Sequence, residues 1–338
     1  MQRRTLVSAA CLGLALLVGS GIAQAQYQLT NLVSNQVGMA RHKDPLLVNG
    51  WGLVFAPGGP FWVADNGSGW STLYNGAGVK QQLQVLIPNA GGDGPGSPTG
   101  IVYNGSQEFQ VQGWASLFLF ATLDGTISGW SPISNPNQAI IGATAPGAVY
   151  TGLAITNRSS GNFLFAADNA NNKVDVYDGS FQLKMSFTDP AVPKGVAPFG
   201  IQDFDGLVYV AFADSSGAPS GSVDIFSEEG VLLKRLIQGR PLNQPWGFAM
   251  APRNFGPLSN ALLVSNNTDN GVINAFNAVT GQFVGTVRDM DGKAIHIDQL
   301  WGIAFGGGTA NNGAVNHLFF TAGPSNNFAG TFGVIAFK

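Results

Sequence analysis

The sequence predicts an all-β fold, and more specifically a six-bladed β-propeller. Three observations predict it. A glycine motif recurs at intervals of about 50 residues, each interval holds short strand-like segments, and no segment of helical length keeps a 3.6-residue apolar period free of Gly and Pro. Units of about this length with four strands each, arranged radially, form the blades of a propeller. A two-sheet sandwich, the alternative all-β fold, does not require six equal units.

The repeat is clearest in motifs such as Gln244-Pro245-Trp246-Gly247, where a glycine precedes an apolar strand. The six repeat glycines are Gly52, Gly100, Gly152, Gly200, Gly247 and Gly302. Each of them marks the predicted inner strand of a blade. The predicted blades span about 49–88, 98–143, 150–188, 198–237, 245–288 and 300–338.

The second strand of five blades ends close to an acidic or amide residue. These residues are Asp65, Asp124, Asp168, Asp214 and Asn266. Their side chains can accept hydrogen bonds from backbone amides one or two residues further on, so we interpret them as turn-forming residues. The third strands, for example 174–177 and 272–276, are rich in β-branched and aromatic residues, as strands usually are.

The sixth blade lacks a fourth strand of its own, because the sequence reaches Lys338 directly after the third strand at 332–337. The segment 27–33 has strand character and belongs to no blade. We therefore predict that it becomes the outermost strand of the last blade, 302–337. This pairing closes the ring and covers a sheet edge that would otherwise be open.

The first 25 residues have the three parts of an export signal: a basic start, an apolar stretch at 6–18 and the small-residue cleavage site Ala23-Gln24-Ala25. We expect cleavage after Ala25, a secreted or periplasmic protein, and one propeller domain over residues 26–338. The pair Arg3-Arg4 also leaves twin-arginine export open.

The only cysteine, Cys11, lies inside this leader. The mature chain is therefore expected to have no disulfide, thiolate metal site or thiol nucleophile.

Charged residues make up only 10% of the chain, and the formal net charge is −3. This composition excludes the basic surface that binds nucleic acid or anionic membranes. No stretch after residue 25 approaches the roughly 20 apolar residues of a spanning helix, so we expect no transmembrane segment in the mature chain. The partners that remain are a protein or a glycan.

Two segments carry a family resemblance. Residues 244–249 (QPWGFA) look like the opening strand of an NHL repeat, and residues 167–174 (ADNANNKV) resemble its second turn. The chain thus resembles the NHL-repeat and gluconolactonase-like six-bladed propellers. Over nearly its whole length it also resembles a family of uncharacterised secreted bacterial proteins.

The gluconolactonase resemblance implies one calcium ion at a mouth of the channel and a lactonase activity. That ion is held by Asn, Asp and Glu from positions just before the inner strands, and Ca²⁺ prefers six to eight oxygen ligands. The residues directly before the repeat glycines depart from this pattern. They are Trp51, Thr99, Thr151, Phe199, Trp246 and Trp301.

These six residues have two interpretations. They can fill the channel and wedge between blades, since large aromatic side chains dominate core burial. Alternatively they form a ligand-binding ring, in which four aromatic side chains stack on a sugar or another flat ligand.

Candidates for chemistry lie close by. Asn49, Asn243 and Asp298 are the candidate metal ligands. In the loop that leads into blade six, His296 and Asp298 lie two positions apart and share a face of an extended chain, which makes them the candidate catalytic pair. A polar cluster at 41–44 leads into the neighbouring blade and could converge with them as a cationic anchor.

Two function classes follow. The first is a secreted scaffold that binds a protein or a glycan, without catalysis, through the channel mouth and its loops. The second is a calcium-dependent hydrolase or lactonase with Asn49, Asn243 and Asp298 as ligands and His296 as base. The first is favoured, because the ligand positions of the enzyme family are not filled here.

Overall fold

A computed structural model describes residues 27–156, 161–214, 216–218 and 220–338. The predicted export signal, its Cys11 and the cleavage site after Ala25 lie outside the described residues. The described chain folds into six four-stranded antiparallel sheets, each ordered from an inner to an outer strand. The all-β, six-bladed propeller is therefore confirmed.

The blades are numbered one to six in chain order, and each has an inner, a second, a third and an outer strand. The inner strands are Gly50–Phe55, Pro98–Tyr103, Tyr150–Ile155, Val196–Phe204, Pro245–Met250 and Leu300–Phe305. The second strands are Phe61–Asp65, Phe118–Thr122, Phe163–Asp168, Leu207–Asp214, Ala261–Asn266 and His317–Ala322. The third strands are Trp70–Tyr74, Thr126–Trp130, Lys173–Asp178, Gly221–Ser227, Ile273–Asn277 and Thr331–Phe337. The outer strands are Lys80–Leu86, Ile140–Thr144, Leu183–Phe187, Leu232–Gln238, Phe283–Thr286 and Tyr27–Ser34.

Four short elements decorate this ring. His42–Lys43 adds a parallel strand outside blade six, and Gln110–Val111 pairs with Trp114–Ala115 in a ribbon on blade two. A single 3-10 turn, Gly256–Leu258, lies between the inner and second strands of blade five. None of the helices among the described residues is long and apolar enough to cross a membrane.

The predicted closure of the ring is confirmed. The strand Tyr27–Ser34 runs antiparallel to Thr331–Phe337, with Tyr27 opposite Phe337 and Thr30 opposite Val334. The closing strand is also tied to blade five, because the Tyr27 hydroxyl donates a 2.7 Å hydrogen bond to the carbonyl of Phe255. The third strand of the last blade is thus covered by the strand Tyr27–Ser34.

The cores lie between neighbouring blades, where sheets pack face to face. Between blades one and two, Trp62 stacks on Phe118 with ring centroids 4.0 Å apart. Between blades six and one, Phe61 packs on Phe319 at 4.4 Å. The inner, second and third strands are mostly buried, whereas the outer strands are partly exposed, which explains why the chain needs so few charged residues.

The repeat glycines lie where adjacent inner strands approach most closely. A Cβ on Gly52 would lie 2.6 Å from the Thr99 carbonyl oxygen, and one on Gly247 would lie 2.6 Å from that of Trp301. The ring closes in the same way, because a Cβ on Gly302 would lie 2.6 Å from the Trp51 oxygen. Such contacts are too short for a real side chain, so the narrow centre of the ring requires glycine.

Candidate ligand-binding site

The channel of the propeller has two mouths, which we name by what lies there. The collar face is the side on which the inner strands begin, and it carries the aromatic collar formed by Trp51, Phe199, Trp246 and Trp301. The funnel face is the side on which the inner strands end. The sequence directed attention to the collar face, but the structure places the larger cavity on the funnel face.

The three indoles of the collar fill the channel. Trp51 stacks on Trp301, with ring centroids 3.5 Å apart and planes inclined by 18°. Trp246 meets both with its edge, at 6.0 Å from Trp51 and 5.7 Å from Trp301. All three are buried, and the partly buried Phe199 packs against them. The aromatic faces that a ligand would need are thus largely covered by one another.

Hydrogen bonds hold the collar in place. The Trp301 indole N–H donates to Asn49 Oδ1 at 2.9 Å, and that of Trp246 donates to the carbonyl of Thr151, also at 2.9 Å. The Trp51 indole N–H is buried and finds no acceptor among the described residues.

The two threonines of the predicted ring join neighbouring blades. The Thr99 hydroxyl donates to the Tyr150 carbonyl at 2.7 Å, and the Thr151 hydroxyl donates to that of Pro198 at 3.4 Å. All six side chains therefore have a structural role in the ring. Their role in ligand binding stays a prediction.

Two of the three candidate metal ligands, Asn49 and Asp298, use their side-chain polar atoms in other hydrogen bonds. Asn49 accepts from Trp301 and donates to Asn66 Oδ1 at 3.1 Å. Asp298 Oδ2 accepts the backbone N–H of Ser325 at 2.9 Å. Asn243 Oδ1 is buried and has no hydrogen-bond partner within the described part of the chain. No group of three or more His, Cys, Asp and Glu side chains that could hold a metal occurs among the described residues.

The candidate catalytic pair is divided between two different partners. His296 is exposed, and its Nδ1 lies 3.2 Å from the carbonyl oxygen of Asn270 in the neighbouring blade, whereas Asp298 bonds Ser325. The catalytic role of His296 and Asp298 stays a prediction.

The polar cluster at 41–44 has one buried member. Asp44 is buried at the seam between blades six and one, where its carboxylate accepts from the Tyr74 hydroxyl at 2.8 Å and from Lys80 at 3.0 Å. Asp44 thus stabilises the seam, whereas Arg41, His42 and Lys43 are exposed, and the convergence of this cluster with His296 stays a prediction. The seam needs a buried acceptor there because Tyr74 is itself fully buried.

The funnel face opens into a cavity of about 720 Å³, which is within the size range of small-ligand sites. Five blades line it, mostly with the last residues of their inner strands. The lining residues are Leu53, Val54, Phe55, Ile101, Val102, Tyr103, Ile155, Gln202, Asp203, Phe204, Asp205, Leu207, Tyr209 and Met250. The wall is mainly aliphatic and aromatic. We call this cavity the funnel.

One wall of the funnel is the hairpin formed by the inner and second strands of blade four, which turns tightly after an unusually long inner strand. The inner strand there, Val196–Phe204, has nine residues, whereas the other five inner strands have six. Asp205 and Gly206 turn the chain with φ values of 52° and 84°, the pattern of a two-residue type I′ turn. Phe204 packs edge-on against Tyr209 with ring centroids 5.2 Å apart, which braces the hairpin.

The charged side chains that line the funnel are acidic. Of the described residues that line it, only Asp203 and Asp205 carry a formal charge at neutral pH, and both belong to the blade-four hairpin. Burial raises the pKa of the Tyr209 phenol, so its hydroxyl stays protonated and can donate a hydrogen bond. The funnel therefore offers an apolar wall with an acidic side.

The channel narrows below the funnel. Beyond it, a cavity of about 40 Å³ is lined by four repeat glycines and by Trp246. That volume holds at most a few water molecules, so a ligand that enters the funnel cannot pass to the collar face.

Comparison with known proteins identifies relatives along most of the chain. The uncharacterized protein L690 of Acanthamoeba polyphaga mimivirus is 30% identical over 83% of this chain and 79% of its own length. The chain belongs to the L690 family. A second relative, the uncharacterized protein R648 of the same virus, is 29% identical over 93% of this chain and 81% of its own length. No family profile matches. The similarity to L690 spans 83% of the chain, and the similarity to R648 spans 93%.

Solved structures support the fold of the L690 family. A catalytically inactive virginiamycin B lyase from Staphylococcus aureus, solved with quinupristin, has a TM-score of 0.55 at 12% identity and covers 93% of this chain and 99% of its own. A streptogramin B lyase has a TM-score of 0.54 at 12% identity, with 93% and 98% covered. At this identity the likeness shows the propeller fold alone.

Sequence reasoning missed the funnel because it looked only before the repeat glycines. One signal was available: Asp205-Gly206 between two apolar runs is a strong type I′ hairpin signature. The length of the blade-four hairpin, and the ends of five inner strands meeting round it, are properties of the assembled ring. A single strand read by itself does not reveal them.

Proposed function

We propose that this protein is a non-enzymatic binding scaffold that holds a protein partner in the funnel. The observation that carries the proposal is that one mouth of the channel is filled by stacked indoles while the other opens into about 720 Å³ lined by apolar side chains. Binding sites for organic ligands are concave, mainly apolar and marked by a few polar groups. The funnel has these properties.

The chemistry of the wall favours a protein partner over a glycan. A sugar presents hydroxyl groups on all sides, and each one that is buried without a partner costs free energy. The polar groups of the funnel lie mainly on the blade-four hairpin, while blade one contributes only Leu53, Val54 and Phe55. An apolar side chain of a partner satisfies that wall without leaving polar groups unpaired.

The acidic side chains of the funnel indicate which charge should flank the apolar side chain of the partner. Asp205 is exposed at the tip of the hairpin, and opposite charges steer and orient partners at an interface. We therefore propose a partner segment with an exposed apolar residue next to Lys or Arg.

The place of action is proposed from the leader at residues 1–25. A basic start, an apolar stretch and a small-residue cleavage site together direct a chain out of the cytoplasm. In a secreted or periplasmic setting a rigid propeller without cysteine needs no redox partner to fold.

The proposal is tested by selecting binders from a displayed library of random peptides on the mature protein, residues 26–338. We expect a consensus with a large apolar residue flanked by Lys or Arg. Isothermal titration then compares the parent protein with three variants. Met250→Lys places a cation in the funnel wall and should abolish binding, and Asp205→Asn keeps a residue type that suits the turn but should weaken binding and reduce its salt dependence.

The third variant, Leu183→Lys, is the matched control. It puts the same residue on the outer strand of blade three, where the Leu183 side chain is exposed. It should leave binding unchanged. Peptides that bind equally well to Met250→Lys, or a glycan that binds to the funnel in preference to any peptide, would overturn the proposal.

A further inference from the structure

The structure carries a second apolar feature on the opposite side of the molecule. The loop that joins the second and third strands of blade six, residues 323–330, presents Phe328 with 82% of its surface exposed, the highest value for a large hydrophobic side chain among the described residues. Val37 and Met39 are also exposed, at 79% and 55%, and they follow Asn35, whose side chain accepts the Gly330 N–H at the end of the Phe328 loop. We call Phe328, Val37 and Met39 the blade-six knob. It lies on the collar face.

The Phe328 loop is held in an unusual backbone conformation. Ser325, Asn326 and Asn327, directly before Phe328, have φ values of 59°, 53° and 67°, and left-handed conformation in three successive non-glycine residues is costly. Such strain persists only where the surrounding structure enforces it, and it is concentrated at functional sites.

Four hydrogen bonds enforce this conformation. Ser325 N–H donates to Asp298 Oδ2, and Ala329 N–H donates to the Pro324 carbonyl at 3.0 Å. Gly330 N–H donates to Asn35 Oδ1 at 3.0 Å, and the Ala329 carbonyl accepts from Asn49 N–H at 2.9 Å. Phe328 is therefore displayed by a loop that is already ordered, which lowers the entropy cost of binding through it.

The charge beside the blade-six knob is positive. The chain continues from Val37 and Met39 into Arg41, His42 and Lys43, all exposed. This segment stays next to the knob, because His42–Lys43 pairs with Val33 and Ser34 of the outer strand of blade six. The knob is thus an apolar patch with a basic flank.

Because the knob and the funnel are complementary, we propose that the funnel binds the blade-six knob of a second copy of this chain. The proposal rests on the proposed function, since it names the partner of the same site. The apolar anchor and basic flank on the collar face match the apolar wall and acidic hairpin on the funnel face. Because the two surfaces differ and lie on opposite faces, the contact is head-to-tail and leaves a free knob and a free funnel at the ends.

A head-to-tail contact predicts open-ended growth. Sedimentation velocity of the mature protein over a wide concentration range should show oligomers that lengthen with concentration, with no limiting stoichiometry. Added salt should shift the distribution to shorter species, because the flanking charges are exposed.

Two single variants and their mixture test the pairing directly. Phe328→Ala and Met250→Lys should each weaken self-association by at least about tenfold, since each removes one half of the apolar contact. An equimolar mixture of the two should form a 1:1 dimer and nothing larger, because one variant keeps its funnel and the other keeps its knob. Leu183→Lys is the control and should associate like the parent protein.

Melting temperature and circular dichroism establish that the variants are folded, and Phe328 is exposed enough for its removal to be tolerated. A parent protein that stays monomeric, oligomers insensitive to both variants, or a mixture that fails to dimerise would overturn the inference. If the selected peptides still bind to the funnel in that case, the proposed function stands and only the identity of the partner is wrong.

Discussion

The indole of Trp51 lies flat on that of Trp301, with ring centroids 3.5 Å apart. These residues belong to the first and the last blade, so the stack lies where the ring closes. It joins the neighbouring first and last blades, and the two stacked indoles are both buried. The binding mouth that we propose, the funnel, lies at the other end of the channel.

Removing the stack should destabilise the propeller. Trp301→Ala is expected to lower the free energy of unfolding by about 3–5 kcal/mol, the usual cost of deleting a buried Trp side chain, because Trp301 is 3% exposed. Urea unfolding followed by circular dichroism measures this change in the free energy of unfolding. Trp114→Ala, at the half-exposed tip of the blade-two ribbon, should cost little. If Trp301→Ala were as stable as the parent, the collar would not be structural.

The repeat glycines should not tolerate a methyl group. In Gly302→Ala the new Cβ would lie 2.6 Å from the Trp51 oxygen, so the inner strands of blades six and one must move apart. Overpacking of this kind costs about 1–3 kcal/mol. The matched control is Gly285→Ala on the outer strand of blade five, where the nearest atom to the new Cβ is Leu258 Cδ2 at 3.4 Å. Equal melting temperatures for the two variants would contradict the explanation of the repeat.

Stability should fall as pH rises from about 4 to 7. Burial raises the pKa of Asp224 to about 7, although Arg235 donates to its carboxylate at 3.0 Å. The unfolded pKa is about 3.9. Between these values the folded state keeps a proton that the unfolded state has released, so the folded state loses stability as pH rises.

Two other buried carboxyl groups, Asp65 and Asp189, bear on this pH effect. Burial also raises the pKa of Asp65 well above its usual value, which adds a slope of the same sign. The pKa of Asp189 is lowered: burial raises it, but the Ala191 N–H, Asp224 and Arg235 outweigh that effect, so Asp189 is ionised in both states between pH 5 and 7.5.

Urea midpoints at pH 5 and 7.5 measure the effect. Asp224→Asn should reduce the difference between them by more than about 1.4 kcal/mol, the equivalent of one pKa unit. An unchanged difference in Asp224→Asn would refute the assignment to this carboxyl.

Calcium should not raise the melting temperature. Any ion that binds the native state tightly stabilises it, but Asn49 and Asp298 already bond Trp301 and Ser325. Thermal scans with added Ca²⁺ and with EDTA, together with elemental analysis of the purified protein, test this. A clear upward shift with Ca²⁺ that is lost in Asp298→Asn would revive the hydrolase alternative.

The fold could be predicted from the sequence because its determinants are local and repeated. Gly52 and its five equivalents each meet the same constraint, a close approach to the next inner strand, so the pattern is visible without coordinates. The closing strand could be predicted because a blade without a fourth strand and a strand without a blade complement each other.

The site could be predicted only in part. Sequence reasoning placed Trp51, Trp246 and Trp301 together at one mouth, which the structure also does. It could not tell whether their faces would remain open, since that depends on the diameter of the ring. The knob is invisible in the sequence for a similar reason: Phe328 is one of 23 phenylalanines, and only the assembled blade shows that it is exposed.

Hydrogen–deuterium exchange with and without a selected peptide distinguishes the funnel from the collar as the binding mouth. We expect protection confined to the funnel, at the hairpin 202–207 and the strand ends 53–55 and 101–103. Protection at 244–246 and 299–301, with the hairpin unchanged, would show that the peptide binds at the collar and would contradict binding in the funnel.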